Sequence, residues 1–166
     1  LVLVPSGPLC HDLMVRLRDT VAATVPWEVE TGEAVAAPPT DAYKQIDARD
    51  AVSRVPAGQR DRLMIGITAH DLKTPGFNFL FGYAVPGRYR AIVSLNRLRT
   101  GEDTDPDELM LMERAAKEVL HEAGHLLGLG HCPDPNCVMH FSQALQDTDI
   151  KSERFCQVCA RELSRL

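Results

Sequence analysis

Neither half of this 166-residue sequence is basic: residues 1–83 carry 8 Lys and Arg against 10 Asp and Glu, and residues 84–166 carry 10 against 13. That absence removes the charge expected of a partner for nucleic acid or an anionic membrane surface. No run approaches the eighteen or so apolar residues of a membrane span. The opening LVLVPSGP is apolar for only four residues and has no basic lead, so it lacks a signal-peptide core and reads as a first strand. The expected compartment is the cytoplasm, where cysteines serve as thiols or metal ligands more often than as disulfides. There is no internal repeat and no low-complexity tract. With 45% apolar and 25% charged residues, the composition is that of an ordered globular chain with enough length for a core of its own.

Apolar residues at Leu9, Leu13, Leu17 and Val21 predict an amphipathic helix ending at Pro26. A short strand at 27–30, a loop at 33–43 and a short helix at 47–55 are expected next. RLMIGITA (62–69), FNFLFGYAV (77–85) and RAIVSL (90–95) read as strands, the last two forming a hairpin around Pro86-Gly87. Asp105 as a cap and Pro106 at a first helical position start a long helix to about Leu127. Residues 130–155 read as irregular, followed by a helix over about 153–166.

HEAGHLLGLGHC, His121 to Cys132, carries the chemistry. On a helix, His121 and His125 share one face, about 6 Å apart along the axis, so both imidazoles reach one metal. A continued helix would carry His131 roughly 9 Å beyond His125, too far for zinc–nitrogen bonds of about 2.0–2.1 Å. The chain must therefore reverse, and Gly128 stands where it does, because glycine takes a positive φ without steric cost. Three neutral histidines leave a tetrahedral zinc one open position for water. Glu122, about 100° round the helix from His121, falls beside that water as general base for hydrolysis by a zinc-activated water. The bland reading, a chance match, suits the short His-Glu-x-x-His core far better than the extended pattern.

Cys132 and Cys137, with Cys156 and Cys159, have the paired spacing of a closed four-thiolate structural zinc that would clamp the irregular loop onto the last helix. A disulfide between the pairs runs against the expected compartment, and a redox role for Cys156 and Cys159 lacks a preceding strand. Cys10 and His11 are left over, His70 and His140 fall outside the ligand pattern, and one carboxylate among Asp134, Asp147 and Asp149 is a candidate to orient a ligand histidine.

These residues, with CVM (137–139), FCQVC (155–159), ITAHDL (67–72), KTPGFNFLFG (73–82) and AIVSL (91–95), resemble the archaemetzincins of the metzincin clan over roughly residues 60–166. The resemblance implies a catalytic zinc on His121, His125 and His131, Glu122 as base, a second zinc on Cys132, Cys137, Cys156 and Cys159, and Met139 as the methionine of a Met-turn beneath the histidines. It also implies an α/β zincin-like fold: a mixed twisted sheet with an antiparallel edge strand, about 77–85, lining the cleft above a long active-site helix. One domain over 1–166 is expected, with sheet and active-site helix in 1–130 and the Met-turn, cysteine site and last helix in 131–166. The expected activity is peptide-bond hydrolysis by a monomer acting on a peptide or protein substrate. The rival is a proteolytically weak or inactive, zinc-stabilised peptide-binding protein on the same fold.

Overall fold

The computed structural model describes residues 1–100 and 105–165, with only the backbone of Asp105 and Pro106. The capping roles assigned to those two side chains lie outside the described residues. The LVLVP opening forms β1 (Val2–Pro5), and α1 (His11–Thr24) follows with Met14, Leu17 and Val21 buried. The second strand is shorter than its expected span: β2 is Glu30–Thr31. Next come β3 (Gln45–Asp47), α2 (Ala48–Arg54) and β4 (Met64–Thr68), the last buried throughout. A five-stranded sheet runs in the order β2-β1-β4-β8-β7, where β7 is Gly82–Val85 and β8 is Arg90–Ser94. Every pairing in it is parallel except the antiparallel edge of β7 on β8.

Side chains alternate between the sheet's two faces with a period of two. Leu3, Ile65, Ile67, Ala91 and Val93 point toward α1 and α3 (Asp105–Leu126), whereas Val2, Val4, Met64 and Ile92 point toward α2. The sheet is covered on both faces, which accounts for the unbroken apolar run MIGIT in its central strand. Among the described residues, no helix is long and apolar enough to cross a membrane.

The strand expected over 77–85 is two strands. Phe77–Leu80 forms β6, which pairs antiparallel with β5 (Asp71–Thr74) in a second sheet of order β3-β5-β6, and pairing passes to β8 only from Gly82. Phe81, buried at the junction, anchors the change of partner. The apolar alternation continues through Phe77, Phe79, Phe81 and Tyr83, so the sequence hides the break. The hairpin from β7 to β8 forms as expected, around a single 3-10 turn at Pro86–Arg88.

Residues 130–155 contain an unexpected helix, α4 (Leu145–Ile150), and the last helix is α5 (Gln157–Leu163), shorter than its expected span. Charged groups dock α4 onto α3. Arg114, buried, donates from Nε and Nη2 to the two carboxylate oxygens of Asp149 at 2.6 and 2.9 Å, and from Nη1 to the Leu98 carbonyl. Lys117 donates to the Thr148 carbonyl, and the Thr148 hydroxyl donates to Glu118 at 2.9 Å. Lys151, 1% exposed, sets its Nζ 2.9 Å from Glu118 Oε1, an ion-pair distance without hydrogen-bond alignment.

Removing one member of a buried pair strands the other charge, at about 3–5 kcal/mol, while replacing both by apolar residues is far milder. Lys151→Met is therefore expected to lower the stability of the protein by about that much in guanidinium titrations. Adding Glu118→Leu should recover most of the loss; equal loss in both variants would contradict the pairing.

Candidate metal centre

Helix α3 brings His121 and His125 onto one face, and the chain then reverses. The Leu129 N–H donates to the Gly124 carbonyl at 2.9 Å and the Gly128 N–H to that of His125 at 3.0 Å, with Gly128 at φ 102°. This is a Schellman closure, in which the positive φ requires glycine. His131 returns over the helix end, its ring centroid 5.3 Å from that of His121 and 4.8 Å from that of His125. One nitrogen from each ring lies within 4.8 Å of the other two.

The ring tautomers follow from the partners. His121 Nδ1 lies 2.8 Å from the Val138 carbonyl oxygen and His125 Nδ1 2.8 Å from that of Leu129. A carbonyl only accepts, so both Nδ1 atoms carry the proton and donate it. The two Nε2 atoms are then both acceptors, and they face each other at 3.0 Å. Burial keeps the rings neutral: it drives His121 down to about 2, helped by the positive charge of Lys151, and lowers His125 as well. Two facing lone pairs need a cation between them. A tetrahedral zinc with bonds of about 2.0–2.1 Å separates its nitrogens by about 3.3 Å, close to the spacing found. Backbone carbonyls, and none of the candidate carboxylates, orient these rings. Asp134 instead accepts from the Asn136 N–H, Asp147 caps the start of α4, and Asp149 pairs with Arg114.

Glu122 is buried, and its side chain lies against the bare Cα of Gly82 on β7. Burial, reinforced by the negative Glu118 and opposed by Lys151, raises its carboxyl to about 8. Met139 is buried against Gly124 of α3, where a Cβ would fall 2.3 Å from the thioether sulfur. The sequence reading singled out neither glycine; a contact across the fold leaves no mark in local spacing. A cleft of about 1040 Å³ opens over the histidines, with Phe79, Leu80 and Tyr83 on one wall and Phe141, Ser142 and Gln143 on the other. Phe141 sits 4.8 Å from the His131 ring.

The four cysteines converge as well. Sγ atoms of Cys132 and Cys156 are 3.8 Å apart and those of Cys137 and Cys159 3.7 Å, all four within 4.8 Å and none in a disulfide. The edge of a tetrahedron with zinc–sulfur bonds of about 2.3 Å is about 3.8 Å. Backbone N–H groups at the start of α5 lower the Cys156 thiol to about 7, which favours the thiolate that binds metal. Cys10 is exposed at the start of α1 and His11 is exposed beside it. His140 contacts the Cys132 carbonyl at 3.1 Å, whereas His70 lies by Gly7, and among the described residues neither belongs to a cluster of metal-spaced ligands.

The model of peptidase family M54 matches residues 29–165. An archaemetzincin of Pyrococcus horikoshii is 53% identical over 105 residues, 63% of this chain and 56% of that protein. The match thus spans little more than half of that relative's length. An archaemetzincin of Aeropyrum pernix is 36% identical over 166 residues, 95% of this chain and 87% of that one. Among solved structures, archaemetzincin from Methanopyrus kandleri superposes with a TM-score of 0.80 at 34% identity, covering 99% of this chain and 93% of its own. Archaemetzincin from Archaeoglobus fulgidus, complexed with malonate, gives 0.78 at 29%, covering 97% and 98%.

The shifted groups predict how stability follows pH once metal is removed. Glu122 holds its proton up to about 8 when folded and to its ordinary 4.5 when unfolded, so the folded state binds more protons between these values and loses stability as pH rises through them. The lowered histidines act oppositely, since their unfolded rings protonate below 6.5 and stability falls as pH drops from there. In chemical unfolding of chelator-treated protein from pH 5 to 9, Glu122→Gln should abolish the alkaline loss and keep the acid one. An unchanged alkaline loss would contradict the assignment.

Proposed function

The chain belongs to peptidase family M54, the archaemetzincins, and we propose that it is a zinc metallopeptidase hydrolysing peptide bonds in the cleft above His121, His125 and His131. The observation that carries this reading is the pair of neutral imidazole acceptors facing each other at 3.0 Å over that cleft. In the reading, those three histidines hold one zinc and Cys132, Cys137, Cys156 and Cys159 a second, closed one. Zinc held by three imidazoles supplies a Lewis acid for a carbonyl and lowers the proton affinity of water.

The chain's own residues do the rest. Glu122 accepts a proton from water and returns it to the leaving amine; its raised proton affinity places it between taking and giving near neutrality, and a neighbouring cation draws that value down. Among the described residues β7 is an edge strand, which would receive an extended peptide by backbone pairing beside the three histidines. Apolar and aromatic side chains dominate the cleft walls and, among the described residues, no Lys or Arg lines them, a surface for apolar substrate side chains. Four unpaired thiols gathered at metal spacing suit a reducing compartment such as the cytoplasm.

Two measurements test the reading. Zinc per chain, by plasma mass spectrometry after dialysis, should be two in the wild type and one in His121→Ala. It should fall below one in Cys132→Ser, because Cys132 adjoins His131 and its N–H donates to the Met139 carbonyl at 2.9 Å. One ion retained in Cys132→Ser would separate the clusters, and two would remove Cys132 from the second site. The second measurement is cleavage of a mixed peptide library, where Glu122→Ala with full zinc should cut about 10²–10⁴-fold more slowly than the wild type. No cutting by fully loaded wild type would move the assignment to a zinc-stabilised peptide-binding protein.

A further inference from the structure

We infer that Gly82 is the positioning residue of the Glu122 carboxylate, its missing side chain forming the slot in which that carboxylate is held. The inference rests on the reading of Glu122 as the proton carrier. An ideal Cβ on Gly82 would lie 2.3 Å from Glu122 Oε1 and 2.7 Å from both Cδ and Cγ. All three nearest atoms belong to one side chain, and none is backbone. Among the described residues, no protein group hydrogen-bonds this carboxylate, so contact and not a donor sets its direction.

Both walls of the slot are fixed. Glu122 stands on α3 between the buried Leu120 and Ala123, and Gly82 is registered opposite Val93 by the four residue pairs of β7 with β8. Rotation about the outer bonds of Glu122 leaves Cγ in place, so it cannot relieve a contact that includes Cγ. Only χ1 moves that atom, and in a helix χ1 has two usable wells about 120° apart. A side chain at 82 therefore swings the whole carboxylate away. Gly82 does not have a left-handed φ, so its backbone accepts alanine without strain.

The placement also ties two parts of the reaction to one strand. β7 is the edge on which the peptide would register and the wall against which the base is set. Substrate and base thus share one reference frame.

The test is Gly82→Ala, loaded with zinc. Its crystal structure is expected to show Glu122 in its other χ1 well with zinc content unchanged, and its kcat to fall at least about 100-fold at constant KM. Gly82→Ala combined with Glu122→Ala is expected to be no slower than Glu122→Ala alone, because one residue acts through the other. Glu122 unmoved in the Gly82→Ala structure would overturn the inference, as would a double variant that loses the product of both single effects. Should the wild type cut no peptide, the peptidase reading fails by itself, and the crystallographic position of Glu122 still decides for or against the slot.

Discussion

A carbonyl oxygen accepts hydrogen bonds and never donates them, and the cleft of this protein depends on two such oxygens. Those of Val138 and Leu129 fix the protons of His121 and His125 on Nδ1 and so turn both Nε2 lone pairs inward. Each oxygen is itself fixed by the chain around it. Leu129 is held by the helix closure at Gly128, and Val138 by its N–H, which donates to the Arg154 carbonyl at 2.9 Å. The same closure returns His131 over the helix end. Ligand orientation is thus a property of backbone geometry, which side-chain motion does not erode.

That dependence makes the segment from 131 to 156 the weak point, since it has only one short helix of its own. Two devices hold it. The thiol cluster joins Cys132 and Cys137 to the start of α5, and the N–H of Cys156 donates to Cys137 Sγ at 3.3 Å. The charged clamp of Arg114, Glu118 and Lys151 holds α4, whose approach from Phe141 to Gln143 forms one cleft wall. A buried ion pair contributes little net stability against an apolar alternative, but it tolerates few alternative registers. For a wall that must stay aligned with a metal, register counts for more than net stability.

What the sequence made legible was local. Two histidines four apart on a helix, a glycine at the required reversal, a third histidine and the cysteine pairs all follow from helical rise and ligand reach, so the structure gathers them as the spacing requires. Central strands could be read because burial on both faces leaves an unbroken apolar run. The break at Phe81 was hidden because apolar alternation passes through it unchanged, although the hydrogen-bonding partner changes there. β3 and β5 escaped because they are short and carry polar residues that pair across the chain, such as Gln45 with Asp71. The carbonyl orienters left no trace either, since every residue owns a carbonyl.

The two least legible glycines show the same limit from the other side. Gly124 and Gly82 matter through the space they leave, filled by the Met139 thioether in one case and by the Glu122 carboxylate in the other. A residue whose function is to be absent gives no chemical signal, and only the neighbour that enters the gap reveals it. Gly124 lets the Met139 sulfur pack against the helix that carries His121 and His125, and Gly82 admits the carboxylate from the edge strand. The histidines supply the chemistry of the site, while the two glycines decide how closely sulfur and carboxylate approach it.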